Sequence, residues 1–152
     1  MGSLKSELTK YLKSQHLITL ATFDKKAWVC TVYFVTDSDL NFYFVSSPKS
    51  KHCKDIDRNN KVAIAVYDSH IKNSDKKAGM QLQGRASQIK NWKKTEKILK
   101  MWNKKNPGME KVISVEKMKK GEVSSRVYQV KPTYIKYFNQ LLGEDGVKEF
   151  KL

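Results

Sequence analysis

Between His16 and Ser46 the chain reads HLITLATF, AWVCTVYFVT and NFYFVS, three β-rich runs separated only by DKK and DSDL. A parallel crossover needs about a dozen residues, so connections this short predict an antiparallel meander. KVAIAVYD continues the pattern, and after the polar loop SHIKNSDKK comes the long run GMQLQGRASQI, in which Gly84 predicts a bulge or a close backbone approach. SRVYQVKP and TYIKYFN read as two further strands. Six or seven short strands on turn-length connections predict a mainly β protein, a small antiparallel barrel whose closure removes its exposed edges.

Helical periodicity is confined to four places. Leu4, Leu8, Tyr11 and Leu12 share one face of a helix that Ser3 can cap and that should end near Gln15. KHCKDIDRN forms a short helix, and another is expected around Val115 to Lys119. The clearest helix runs from Lys90 to Lys105, after the fifth strand. Trp92, Ile98, Leu99, Met101 and Trp102 occupy one half of its wheel, Lys93, Lys97, Lys100 and Lys104 the other, and Asn106-Pro107-Gly108 stops it. No repeat, low-complexity tract or linker interrupts the 152 residues, which read as a single domain over 1–152.

The composition excludes several classes of function. Cys30 and Cys53 are the only cysteines, and no Cys/His cluster has metal-ligand spacing, so neither a disulfide framework nor a metal is expected. Reduced cysteines, the absence of an apolar run long enough to span a bilayer and the lack of a signal peptide point to a cytoplasmic protein with no membrane partner. MGSLKS satisfies the loose N-myristoylation pattern, although a helix N-terminus explains the same residues. The net charge of +15 raises the question of nucleic acid. Arg58, Arg85 and Arg126 are the only arginines, however, so 27 of the thirty basic residues are lysines, which lack the planar fork that reads guanine. A non-catalytic ligand-binding or nucleic-acid-binding protein using this lysine-rich surface is the alternative to the reading developed below.

The stretch FYFVSSPKSKHCKDI carries the chemistry. Pro48 cannot donate to a ladder, so the strand is finished by then, and Ser50 can cap the helix that follows. A helix N-terminus presents unpaired N–H groups and partial positive charge. Ser46, Ser47, Ser50, Lys49, Lys51 and His52 surround that point with hydroxyls and cations, a setting for a phosphate dianion, while an N-capped surface helix with solvated lysines explains the same residues equally well. The glycines of a Walker loop are absent. No catalytic triad, carboxylate pair or nucleophilic cysteine is visible, His16 and His70 stand isolated, and catalytic residues cannot be assigned.

The succession LITLATF, WVCTVYFVTD, FYFVSSPKSKHCKDIDRNNKVAIAVYD and GMQLQGRASQI resembles the pyridoxamine 5'-phosphate oxidase-like FMN-binding split-barrel family, and within it the small YhbP-like subgroup, from the first helix to about Gly143. The resemblance implies a six- to seven-stranded antiparallel split barrel of Greek-key type. It implies FMN as cofactor, with Ser46, Ser47, Ser50, Lys51 and His52 at the phosphate and the strand residues Cys30, Thr31, Val32 and Tyr33 along the isoalloxazine. It also implies a homodimer with FMN between the subunits, and an oxidoreductase using a small substrate or a reduced nicotinamide. His52 stands where a second cation is common, Gly79 where the oxidases place a glutamine against the flavin, and the oxidases' C-terminal substrate motif has no counterpart in the tail, so vitamin B6 oxidation is not expected.

Overall fold

The connections between the first three strands are as tight as the sequence implies. In the computed structural model, β1 (Leu17–Asp24) and β2 (Lys26–Thr36) pair antiparallel from Leu17↔Tyr33 to Asp24↔Lys26, with Lys25 alone at the bend, left-handed at φ 62°. Asp37 closes the next turn, its carboxylate accepting from the Asp39 and Asn41 N–H groups, and β3 (Phe42–Ser46) returns along β2. Residues 2–143 and 146–152 are described, the side chains of Gly2 and Ser3 excepted. Helix α1 spans Gly2–Ser14, so Ser3 falls inside it, while its proposed capping side chain, like part of MGSLKS, lies outside the described residues.

The remaining elements are α2 (Lys51–Arg58), β4 (Lys61–Tyr67), β5 (Ala78–Gln88), α3 (Trp92–Lys105), α4 (Val115–Lys120), β6 (Arg126–Asn139) and β7 (Val147–Lys151). The sheet runs β3-β2-β1-β4-β5-β6-β7, and β3 also pairs with β6, closing six strands into a barrel with β7 appended. The expected count of strands holds for a different reason. SRVYQVKP and TYIKYFN are one continuous strand, and VKEFK, not anticipated, is the additional one.

Strand β6 is long because it serves three neighbours. Its first part, Arg126–Val130, pairs with β3, its later part, Tyr134–Phe138, with β7, and Tyr128–Asn139 with β5. Pro132 does not break it because it lies opposite Gly84, where the β5–β6 register shifts and a missing donor costs no regular ladder bond. A Cβ at Gly84 would stand 2.6 Å from the Lys131 carbonyl oxygen, backbone that yields only if the ladder opens. Gly84→Ala is therefore expected to cost about 2 kcal/mol and lower Tm by about 5 °C in a thermal melt; an unchanged Tm would contradict the close approach.

The barrel interior holds Ile18, Leu20, Phe34, Phe42, Phe44, Ile64, Leu82 and Ile135, with Leu8 and Leu12 of α1 and Cys53 and Ile56 of α2 in the same cluster. The two helices thus cover openings that side chains from the strands leave unfilled. A second cluster lies outside the barrel, where Ile98, Leu99 and Trp102 of α3 pack on Val35, Tyr43 and Val127. The lysine half of α3 stays in water, and Lys100 pairs with Glu96 at 3.5 Å. Among the described residues no helix is long and apolar enough to cross a membrane, and no group of three or more His, Cys, Asp or Glu is placed to hold a metal.

Candidate functional site

The end of β3 and the start of α2 bring the expected hydroxyls to one point. Ser50 caps α2, its Oγ accepting from Cys53 N at 3.4 Å and donating to Ser47 O at 2.7 Å. His52 Nε2 lies 2.7 Å from Ser46 Oγ and 3.2 Å from Ser50 Oγ. Because the Ser50 proton is committed to Ser47 O, Nε2 contacts Ser50 as a donor. With Nε2–H donating to the hydroxyl pair, the Ser46 proton is left for a ligand. The first N–H groups of α2, those of Lys51 and His52, have no helical acceptor by geometry. Burial pushes the His52 imidazole below its ordinary value, against the opposing pull of Asp55, so the ring is neutral near pH 7.

Lys51 is not the free cation that the sequence suggests. Its ammonium bonds to Asp55, one turn along the same helix, and sits 5.9 Å from the centroid of the Trp28 ring. Asp55 is buried at 1% exposure and accepts a second bond from Thr22 Oγ1 at 2.8 Å. The Lys51 hydrogen bond holds the Asp55 carboxyl below the usual carboxylate range. Asp55, through Thr22, therefore anchors α2 to the barrel wall, and Lys51, paired with it, adds little net charge to the step. Ser47 is held from another side, by Ser124 Oγ at 3.1 Å. Ser124 precedes Arg126, which pairs with Ser46 across β3–β6 and lies 5.9 Å from the Trp92 ring centroid. Sequence reasoning missed Asp55, Trp28, Ser124 and Arg126. The Lys51–Asp55 spacing of i,i+4 was a legible signal, whereas Ser124 and Arg126 required knowledge of the β3–β6 pairing.

The strand residues divide by direction. Strand β3 pairs with β2 only from Phe34 to Thr36, so the edge of β2 before that point carries no partner strand. Phe34 N donates to His16 O, toward β1, and alternation then turns the main-chain groups of Val29, Thr31 and Tyr33 to the open edge. Those of Cys30 and Val32 face β1. The side chains alternate in the other sense: Cys30 and Val32 pack against the interior, while Thr31 and Tyr33 are exposed outside. Tyr33 O already accepts from Trp102 Nε1 at 3.2 Å. Burial raises the Cys30 thiol to about 11, which suits a packing residue and not a redox nucleophile.

Comparison with known proteins follows from this geometry. The family model described as pyridoxamine 5'-phosphate oxidase matches residues 4–139. The chain belongs to this family. Solved structures share its fold: General Stress Protein 26 from Bacillus anthracis str. Sterne, 18% identical with a TM-score of 0.71, covering 98% of each chain, and a NimC/NimA family protein from Clostridium acetobutylicum, 17% identical with a TM-score of 0.70, covering 97% of this chain and 92% of that one. A heme binding protein from Mycobacterium smegmatis is 12% identical with a TM-score of 0.75; this chain is covered over 99% of its length but matches only 58% of that protein. No curated protein sequence matches the chain. Within the pyridoxamine 5'-phosphate oxidase family, the glycine at position 79 has a local cause: a Cβ there would meet the Phe138 ring at 2.5 Å. A longer side chain at this position requires Phe138 to move.

Proposed function

We propose that this chain binds FMN and works as a flavin-dependent oxidoreductase on a small substrate or a reduced nicotinamide. The observation that carries the reading is the convergence of Ser46, Ser50 and His52 on the N-terminus of α2, beside the uncovered edge of β2. Hydroxyl donors, an imidazole and unpaired helix N–H groups fit a phosphate dianion, with less fixed charge than Lys51 promised. The Val29 and Thr31 main-chain groups on the open edge offer both donors and acceptors to the polar rim of a flavin ring. Flavin supplies hydride and electron transfer; the residues of this chain bind, orient and shield it. The first test is the visible spectrum of the freshly purified protein, followed by titration of the stripped protein with FMN and riboflavin. Flavin bands, or FMN binding much tighter than riboflavin, are expected; a colourless protein that ignores both would end this reading.

The same reading includes a homodimer, and the outer face of the barrel supports it. Thr19 and Ala21 of β1, Val29 and Thr31 of β2, Ala63 and Ala65 of β4, and Gln81 and Gln83 of β5 are neighbours in register, with no charge among them. Phe23, Val29, Tyr33 and Tyr67 expose 52%, 58%, 52% and 60% of their surfaces on this side. In a chain of net charge +15, a neutral face of small residues with an apolar margin suits a second copy of itself, since backbones can approach closely and no charge needs to be buried.

A further inference from the structure

We infer that His16 is the polar anchor of a second binding site, one that takes a planar aromatic molecule carrying an O–H or N–H donor. The inference goes beyond the flavin proposal in naming a polar anchor outside the phosphate step; Tyr33, one wall of the site, also lies on the β2 edge of that proposal, so the test below is run with and without FMN. It begins at Asn106, which the sequence marks only as the end of α3. Asn106 is 7% exposed, and its Nδ2 donates to Phe34 O at 3.1 Å and to Trp102 O at 3.2 Å. Two carbonyl acceptors determine which end of that amide is nitrogen, so Oδ1 must accept. The atom facing it is His16 Nδ1, at 3.2 Å, which therefore carries the proton. Nε2, on the far side of the ring from Asn106, is left as a lone-pair acceptor, and among the described residues it has no hydrogen-bond partner.

The rest of the setting belongs to a recess. The main chain of His16 is pinned as well, its carbonyl accepting from Phe34 N at 3.2 Å, so both ends of the residue are held by buried groups. The ring borders a hollow of about 440 Å³ walled by Tyr33, Trp102, Pro107 and Met109. His16 also lines a smaller hollow of about 260 Å³, with Thr19, Thr31 and Tyr67 among its walls. Trp102 is fixed by its own bond to Tyr33 O, which makes the aromatic wall rigid. Flat apolar walls suit a ring, and one oriented acceptor at the rim selects a ring that can donate. The Phe34–Asn106–His16 chain of bonds orients the ring and directs the Nδ1 proton to Asn106. No lysine lines the larger hollow, which distinguishes it from the lysine-lined surface of α3.

The test uses the full chain and 4-cyanophenol, with 4-cyanoanisole as the matching ring that lacks a donor, near neutral pH. Long-range proton–nitrogen correlation spectra of histidine-labelled protein are expected to show His16 protonated on Nδ1 and bare on Nε2. Adding 4-cyanophenol is expected to shift His16 Nε2 and the Met109 methyl together. Loss of one hydrogen bond makes 4-cyanoanisole, and 4-cyanophenol on the His16→Phe variant, each bind about tenfold more weakly. His16→Phe leaves the buried Asn106 Oδ1 without its donor, so its thermal melt is compared with the parent's, and the 4-cyanoanisole comparison on the parent chain carries the result independently of that variant. A free protein with the proton on Nε2, equal binding of the two probes, or binding indifferent to His16→Phe would overturn the inference. The measurement is made with and without FMN, so that failure of flavin binding leaves the result at His16 readable.

Discussion

Replacing Ser46 and His52 together by alanine is expected to weaken FMN binding about tenfold while changing riboflavin binding less than threefold. The two side chains meet at 2.7 Å, where Ser46 is placed to donate one hydrogen bond to a phosphate and the His52 N–H holds the hydroxyl in position. A hydrogen bond to a charged acceptor is worth about 1.5 kcal/mol, so its loss accounts for roughly one power of ten. Both residues are half-buried at the surface end of β3 and α2, and neither belongs to the hydrophobic clusters, so the barrel should remain folded. Fluorescence titration of the stripped variant with each flavin measures the effect. An equal loss for FMN and riboflavin would move the phosphate elsewhere, and no loss for either would remove these residues from the site.

Asp55 should matter most for stability. It is the buried acceptor for both Thr22 and Lys51, so Asp55→Ala strands a hydroxyl in the barrel wall and an ammonium at its rim. The expected cost is about 3 kcal/mol, the low end for a broken buried pair, because Lys51 keeps 47% of its side chain in water. Asp55→Asn retains an oxygen for Thr22 and should recover part of the loss. The pH dependence has a definite sign. Since the folded carboxyl lies below its ordinary value of 3.8, the unfolded chain takes up the proton first as pH falls. The contribution is fully present above that value and disappears as pH drops through the folded one. Urea unfolding at neutral and acid pH should show the gap between the parent and Asp55→Asn closing on acidification. A variant within 1 kcal/mol of the parent at neutral pH would show that the pair contributes little.

Much of this architecture was legible because its signals are local. β-rich composition and connections of a few residues defined β1 to β3 and their antiparallel sense, and the apolar stripe of Ile98, Leu99 and Trp102 placed α3 against the barrel. Gly84 was correctly suspect. The chain stays one strand through Pro132, where SRVYQVKP and TYIKYFN meet, because Gly84 across the ladder supplies the irregularity that accommodates it. VKEFK escaped notice because it is short and polar, and its pairing with Tyr134–Phe138 is a non-local event. The convergence of Ser46, Ser50 and His52 was readable for the same reason as the turns, since Ser46 to His52 are neighbours in sequence and a strand leading into a capped helix must bring them together.

The amino-acid sequence by itself determined the antiparallel meander of β1 to β3, the helix positions and the placement of hydroxyls at the start of α2, all of which follow from backbone geometry over a few residues. Only the tertiary structure decided which charges are free. Lys51 looks like a phosphate ligand in one dimension, yet the barrel wall buries Asp55 one turn away, and a buried carboxylate holds the ammonium at its rim because the carboxylate alone is costly in a low-dielectric interior. His16 looks isolated until Phe34 and Trp102, distant in sequence, orient the amide of Asn106 and through it the imidazole. Directional contacts between remote residues depend on closure of the barrel, and no local pattern encodes them.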